Sequence, residues 1–231
     1  LSVVGLALNG QATYKLYSSG TNLSSPKPKG GYVDSEGNKL LLMCDETSDI
    51  CLIKSGASGD LIWARKYRIS VTDEDAVASF VESGQFYFLF GNTGYSPAVD
   101  GLVLKIRRTD GLCVLAKRFG GAVVDMFTSA IAFTDTTFLV SGYSNNNSFV
   151  PSSGITNKGD GIIVEMNHLL DTVRTIKLGA YNRFDRFDRM IRASNGDVFA
   201  LGVKSPPSGS STYDNEDMTL VRFTSSLVPV F

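Results

Sequence analysis

Residues 59–67, GDLIWARKY, and residues 111–119, GLCVLAKRF, share one order of small, apolar and basic residues. The likeness extends upstream, where residues 49–54 read DICLIK and residues 100–105 read DGLVLK. Residues 160–165, DGIIVE, begin a third copy. The chain therefore consists of tandem repeats, and the period constrains the fold more strongly than any single stretch does.

The repeats divide one predicted domain, residues 1–231, into four whole copies and about half of a fifth. The N-terminal copy is divergent, and residues 217–222, DMTLVR, open the partial one. The predicted repeats span about residues 1–45, 46–95, 96–145, 146–204 and, in part, 205–231.

Each repeat contains four short strand signals, in which Val, Ile, Leu, Phe and Tyr are interrupted by Gly, Asn, Asp and Ser. The apolar spacing does not follow the period of about 3.6 residues that an amphipathic helix requires. Each repeat therefore predicts a four-stranded antiparallel meander. The nearly continuous apolar run that begins with Asp is predicted to be the innermost strand, because such runs are typical of strands buried on both faces.

A small sheet of this kind cannot bury both of its faces alone, whereas sheets arranged around an axis bury one another. The sequence thus predicts an all-β fold, a β-propeller of four-stranded antiparallel blades. Trp63, Leu115 and Tyr14 are expected to occupy equivalent positions between blades.

The partial repeat, residues 205–231, is expected to leave an open sheet edge, with Pro229 marking an edge strand. Three alternatives are open: residues of a longer chain continue the ring, the extra strands cover another blade, or a neighbouring chain completes the sheet.

The order Asp-x-x-Leu-x-Lys, then Gly-x-x-x-Trp-Ala-Arg-x-Tyr, then Asp, then an apolar strand with Gly resembles the SBBP-type propeller repeats of large secreted and surface proteins. The resemblance covers residues 46–204 best. The chain departs from the pattern at Arg68, where Gly is expected, and at Arg174, which stands at the position of Trp63. The resemblance implies a propeller fold and an extracellular or cell-surface location.

Composition excludes several classes of partner. The 22 Lys and Arg residues are scattered and balanced by 23 Asp and Glu residues, so no basic stripe for nucleic acid is present. The longest apolar runs are far shorter than the roughly 18 to 20 residues of a membrane span. Neither nucleic-acid binding nor a membrane span is predicted.

The cysteines and the glycosylation sequons are relevant to the cellular compartment in which the protein resides. Cys44, Cys51 and Cys113 are too few for a disulfide framework, and they are expected to be buried thiols or to contain one bridge from Cys51 to either of the others. Asn22 and Asn146 begin acceptor sequons in polar stretches that read as exposed loops.

No catalytic residue, metal or cofactor is predicted. His168 is the single histidine and is expected to be exposed or to pack at a turn, and the sequence contains neither a nucleophile motif nor the spacing of a zinc site. Residues 73–75 and 214–217 are acidic, but they lack the order of a calcium loop.

Repeated carboxylates are the strongest argument for an enzyme, since a propeller could place a pair of them near its axis for glycoside hydrolysis. Recurrence in every repeat nevertheless favours a structural role, because a catalytic pair needs two different environments. Three recurring acids are expected to cap loops: Asp75, Asp125 and Asp185. Four others, at the entrance of the predicted inner strands, are expected to brace turns: Asp49, Asp100, Asp160 and Asp217.

Residues 183–189, RFDRFDR, have two interpretations: an ion-paired strand between blades, or a contact with a protein partner, in which Arg and aromatic residues are enriched. The candidate interface residues are Arg183, Phe184, Arg186, Phe187, Val228 and Phe231.

These observations predict a non-enzymatic extracellular or surface module that assembles with protein partners, as a homo-oligomer or a filament. The alternatives are a carbohydrate-binding or glycan-hydrolysing propeller that uses axial carboxylates with loop aromatics such as Tyr95 and Tyr143, and an intracellular protein-binding propeller.

Overall fold

The protein is represented by a computed structural model. It describes residues 2–8, 11–17, 27–44, 49–68, 74–94, 99–121, 124–144, 159–179, 185–204 and 217–230. All regular elements in these ranges are β-strands. The same ranges contain no helix that could span a membrane.

The chain forms one N-terminal hairpin and four antiparallel four-stranded sheets, each with its strands in chain order. The hairpin consists of β1 (Ser2–Leu8) and β2 (Gln11–Tyr17). The first sheet contains β3 (Lys27–Val33), β4 (Lys39–Cys44), β5 (Ile50–Ser55) and β6 (Leu61–Tyr67). The second contains β7 (Glu74–Ser83), β8 (Phe86–Thr93), β9 (Asp100–Arg107) and β10 (Cys113–Phe119). The third contains β11 (Asp125–Ala132), β12 (Thr137–Ser144), β13 (Asp160–Asn167) and β14 (Thr172–Leu178). The fourth contains β15 (Asp185–Arg192), β16 (Val198–Lys204), β17 (Asp217–Phe223) and β18 (Pro229–Val230).

The sheets are out of phase with the sequence repeats by two strands. Each sheet takes the last two strand signals of one repeat and the first two of the next, because repetition fixes a period but not the strand at which a sheet begins. Residues 217–230 therefore complete the fourth sheet as β17 and β18, and the prediction of an open half blade at this end was wrong. The two strands left over are β1 and β2. Pro229 does lie in a short edge strand, as predicted.

The first strand of each sheet is the innermost one. Strands β3, β7, β11 and β15 contact one another in succession, which places them nearest the axis. The apolar runs that begin with Asp form the third strands instead, so their predicted innermost position was wrong. Their burial comes from the sheets on both sides: Leu102, Val103 and Leu104 are all fully buried.

The innermost strands share a β-bulge beside a small residue. The pairing of β11 with β12 shifts between Phe127 and Ser129, and that of β15 with β16 shifts between Phe187 and Arg189. A Cβ on Gly142, opposite the first of these bulges, would overlap the carbonyl oxygen of Met126. Glycine is therefore required where the bulged strand approaches its neighbour.

Apolar cores fill the spaces between successive sheets. Trp63 is buried between the first and second sheets, and its Nε1 donates to the carbonyl oxygen of Arg108 at 3.0 Å, which confirms its predicted position. Leu115 is partly buried against the core between the second and third sheets. The side chain of Tyr14 lies outside the described residues.

The three cysteines are thiols. Cys44 faces the core between the first and second sheets, whereas Cys51 packs beside Met43 and Ile53 on the opposite face of the first sheet. Cys113 packs at the edge of the core between the first and second sheets. Since neighbouring positions on paired strands point to opposite faces, a Cys44–Cys51 bridge does not fit this sheet.

Candidate functional site

The acids at the entrance of the third strands form ion pairs with the neighbouring fourth strands. Asp49 lies 2.7 Å from Lys66 Nζ, Asp100 lies 2.5 Å from an Arg118 nitrogen, and Asp160 lies 2.5 Å from Lys177 Nζ, as carboxylate oxygen to side-chain nitrogen. These three carboxylates are buried. They join two strands of one sheet, so their structural role is to fasten the sheet rather than to brace a turn.

Arg68, which interrupts the repeat pattern, adds a second cation to the first of these pairs. Its Nε and Nη2 donate to both carboxylate oxygens of Asp49, at 2.9 to 3.1 Å. In the next two sheets the equivalent positions are Gly120 and Gly179, and the carboxylates of Asp100 and Asp160 lie where a Cβ would stand.

Asp125 and Asp185 begin innermost strands, where a ring of axial acids would lie. Asp125 is fully buried, and it accepts hydrogen bonds from Ser144 Oγ and, at 3.0 Å, from the Gly121 amide. Burial raises the pKa of the Asp125 carboxyl above its ordinary value. These bonds are of the loop-capping kind that the sequence predicts. The side chain of Asp75 lies outside the described residues.

Asp185 is also buried, but it lines a cavity of about 260 Å³ between the third and fourth sheets. The lining that matters for chemistry comprises Leu178, Gly179, Asp185, Phe187, Lys204 and Thr219. Asp185 is the register partner of Lys204 across β15 and β16, and both residues line the cavity.

The cavity lies where three residues differ from the equivalent interface between the second and third sheets. In register, Leu178 stands where Phe119 stands, Thr219 where Ile162 stands, and Lys204 where Ser144 stands. There, the Phe119 ring packs 5.6 Å from that of Phe127, as centroid distance, and Ile162 is fully buried. Leu178 is smaller than Phe119 and Thr219 is smaller than Ile162, and these two differences leave space between the third and fourth sheets.

The candidate interface residues fall in different environments. Phe187 is buried in the core between the third and fourth sheets, and Arg186 Nε donates to Asp188 Oδ1 at 2.9 Å. This ion pair lies within β15, in the described part of residues 183–189, and both interpretations of that stretch stay predictions. Val228 is exposed at the edge of the fourth sheet. Several residues lie outside the described ranges: Asn22, Tyr95, Asn146, Arg183, Phe184 and Phe231.

A buried polar network between the first and second sheets was not predicted from the sequence. Asp34 accepts hydrogen bonds from Tyr87 Oη at 2.5 Å and from the Asn38 amide at 2.8 Å, and Lys54 Nζ lies 3.3 Å away. Burial alone would raise the pKa of Asp34, but these donors hold that pKa well below its ordinary value. Arg108 extends the network to Glu82 at 2.5 Å. The sequence of residues 35–38 predicts only a turn, because Tyr87 and the other distant partners of Asp34 cannot be identified from the local pattern.

His168 packs against Phe88 and Phe138, with ring centroids 5.2 and 5.9 Å away. Burial lowers the pKa of its imidazole. Among the described residues, no group of three or more His, Cys, Asp or Glu side chains could hold a metal ion.

The outer face of the fourth sheet, which is turned away from the third sheet, is apolar and exposed. It includes Ile191, Leu201, Met218 and Leu220, of which Met218 is 81% and Leu220 64% exposed. In register, Leu220 is equivalent to Ile163 of the third sheet, which is buried against the fourth. The fourth sheet therefore exposes the face with which the third sheet packs on its neighbour.

Comparison with known proteins shows the fold. No family model matches the chain, and no curated protein matches its sequence. It is similar to a solved protein of unknown function from Bacteroides caccae, with a TM-score of 0.56 and 12% identity over 96% of this chain and 70% of that one. It is also similar to a neuraminidase-like protein from A/bat/Guatemala/164/2009, with a TM-score of 0.52 and 10% identity. That match covers 99% of this chain and 59% of the other.

These likenesses and the four sheets around an axis define the class of protein: it is an all-β propeller. Sequence identities this low indicate a shared fold and do not indicate a shared activity.

Proposed function

We propose that this propeller is a non-enzymatic structural module that assembles with a second copy of itself through the outer face of its fourth sheet. The observation that carries the proposal is the exposure of Met218 and Leu220 on a face whose equivalent is buried in the third sheet. Exposed apolar patches on a sheet are typical of interaction surfaces. Burying each of these side chains is worth about 1.5 to 3 kcal/mol.

A second copy is the occupant that the chemistry of this face favours. The face matches one that already packs on a propeller blade, so its best complement is another blade of the same kind. The N-terminal hairpin supports this assignment, since β1 and β2 form a separate two-stranded sheet. A two-stranded sheet is marginal alone and gains stability from added strands. Contact between two different surfaces of identical chains produces rings or filaments.

The test is the mass of chain 1–231 in solution, measured by light scattering at increasing concentration. We expect oligomers for the wild type and monomers for the variant that combines Met218→Lys with Leu220→Lys. Leu169→Lys is the matched control, because Leu169 is 66% exposed in the turn between β13 and β14 and is not part of the outer face of the fourth sheet. A wild type that stays monomeric at about 100 µM, well above ordinary micromolar affinities, overturns the proposal.

Extracellular or cell-surface location, and membership of the SBBP-type repeats, belong to this proposal through the resemblance of residues 46–204. Mass spectrometry of protein from its natural source tests the location: glycan on Asn22 or Asn146 supports it. Unmodified asparagines in an intracellular fraction contradict it. The alternative of a glycan-acting propeller is less well supported, because Asp125 is fully buried and already accepts two hydrogen bonds.

A further inference from the structure

Two buried oxygen atoms at the end of the second sheet have no partner. Asp100 is 7% exposed and its Oδ2 lies 2.5 Å from an Arg118 nitrogen, but its Oδ1 is buried without a hydrogen bond. Directly opposite on β8, Thr93 is 1% exposed and its Oγ1 also lacks a hydrogen bond. Most buried polar atoms in proteins do have a partner, so such exceptions indicate a place where water or an ion binds.

The unpartnered oxygens lie close together, and a third oxygen approaches them from the third sheet. Because Thr93 and Asp100 are register partners, their side chains point to one face, with Cβ atoms about 4.5 to 5.5 Å apart. A Cβ on Gly120 would overlap Asp100 Oδ1 and would lie 3.0 Å from Asp125 Oδ2. The two carboxylate oxygens are thus at most about 5 Å apart, a gap that one Ca²⁺ spans with bonds of about 2.3 to 2.6 Å.

The electrostatics of this place favour a cation. Burial and, after it, the charge of Asp100 raise the pKa of the Asp125 carboxyl. This effect of Asp100 is a repulsion between two carboxylates, which a cation bound near both of them would relieve. Arg118 neutralises only one of the two charges.

The first sheet shows that the equivalent acid accepts two cations. Asp49 and Asp100 each pair with one basic residue of the neighbouring fourth strand. In the first sheet, Arg68 adds a second cation that donates to both oxygens of Asp49. In the second sheet, Gly120 stands at that position and brings no charge, and Asp100 Oδ1 remains without a partner. The described part of the second sheet therefore leaves room in this pattern for a cation from outside the chain.

We propose that a calcium ion binds where the second and third sheets meet, with Asp100 Oδ1, Asp125 Oδ2 and Thr93 Oγ1 among its ligands. All three are oxygen atoms, the ligand type of Ca²⁺, and water and backbone carbonyls complete its shell of about six to eight ligands. A site with only two carboxylates is a weak one, and we expect a Kd of about 0.1 to 1 mM, the range of extracellular calcium modules.

Thermal unfolding of the chain, followed by circular dichroism, tests the site. Protein freed of metal with EDTA is compared in CaCl₂ and in MgCl₂, each at about 10 mM, so that ionic strength is equal. We expect the unfolding midpoint to be about 3 °C or more higher in Ca²⁺, because an ion that binds only the folded chain stabilises it in proportion to the logarithm of its saturation.

Two variants locate the site, each with a matched control. Thr93→Val removes one ligand while the side chain keeps its size, and Asp100→Asn removes a charge. Both should reduce the Ca²⁺-dependent shift to less than half. Thr175→Val should keep the full shift, because Thr175 Oγ1 is also buried without a hydrogen bond but lies on β14. Asp49→Asn should keep it too, because Arg68 already supplies the second cation there.

Thr93→Val keeps the test decisive if Asp100→Asn fails to fold, since the hydroxyl that it removes makes no hydrogen bond. Three results overturn the proposal: equal midpoints of the wild type in Ca²⁺ and Mg²⁺, a full shift in Thr93→Val, or an equal loss of the shift in Thr175→Val. The measured quantity is a Ca²⁺-dependent midpoint and not a particle mass, so this proposal and the proposed self-assembly fail separately.

Discussion

The hydroxyl of Tyr87 donates a hydrogen bond of 2.5 Å to the Asp34 carboxylate across the interface of the first and second sheets. Both groups are buried, and the bond joins the turn after β3 to the middle of the second sheet. Burial and the neighbouring carboxylate raise the pKa of Tyr87 above its ordinary value, so the phenol remains a donor throughout the accessible pH range. Two distant parts of the chain are thus held by one polar contact.

Removal of this donor should destabilise the protein. Tyr87→Phe keeps the ring and leaves a buried carboxylate with one fewer partner, which costs about 1 to 3 kcal/mol. Urea unfolding followed by circular dichroism measures the loss. Tyr143→Phe is the comparison, because the Tyr143 hydroxyl donates to the Met126 sulfur, which is a weaker acceptor than a carboxylate. An equal loss in both variants would contradict a special role for Tyr87.

Stability should depend on pH through Asp34. Its folded pKa lies below the unfolded value of about 4, so its contribution is complete above that pH and is lost as the pH falls. Asp34→Asn should therefore be less stable than the wild type at pH 7, and the difference should shrink toward pH 2. Unfolding free energies measured in steps of pH check this, and parallel curves for the two proteins would contradict it.

Asp125 should affect the pH dependence of stability in the opposite direction to Asp34, and the same experiment measures it. Burial raises its folded pKa, so its contribution is fully present below the unfolded value of about 4 and declines as the pH rises through the folded pKa. The free energy of unfolding of the wild type should therefore fall relative to that of Asp125→Asn as the pH rises. A shift in the same direction as Asp34→Asn would refute the structural assignment of one of the two carboxyls.

Gly142 should tolerate no side chain. Gly142→Ala places a Cβ against the Met126 carbonyl at the bulge of β11, and we expect a loss of more than about 3 kcal/mol or failure to fold. Gly31→Ala is the control, since its Cβ would meet the Leu40 carbonyl at an ordinary 3.6 Å. Thermal unfolding of both variants checks the difference, and two similar melting temperatures would count against the need for glycine at the bulge.

Trp63 should stabilise the interface of the first and second sheets. Trp63→Leu introduces the residue found at the equivalent position 115, and it removes the bond to Arg108 and part of the core. The expected cost is about 2 to 4 kcal/mol by denaturant titration with circular dichroism. Ile62→Ala, on the exposed side of the same strand, should cost less than about 0.5 kcal/mol. A smaller loss of unfolding free energy for Trp63→Leu than for Ile62→Ala would contradict a stabilising role for Trp63 at this interface.

The amino-acid sequence by itself determined the strand content, the period and the propeller fold, because apolar spacing and turn residues act over a few neighbours. It also located the edge strand at Pro229 and the position of Trp63 between sheets. Only the tertiary structure decided the phase of the sheets, the identity of the innermost strand and the partners of Asp34. Those properties depend on contacts between residues far apart along the chain, such as Asp34 and Tyr87.

The cavity shows the same division. Three residues at the cavity are unremarkable in the sequence: Leu178, Thr219 and Lys204. The strand register shows that their equivalents in the preceding interface are Phe119, Ile162 and Ser144. A cavity is a property of how side chains from separate strands fill one volume, and the one-dimensional pattern contains no measure of that volume.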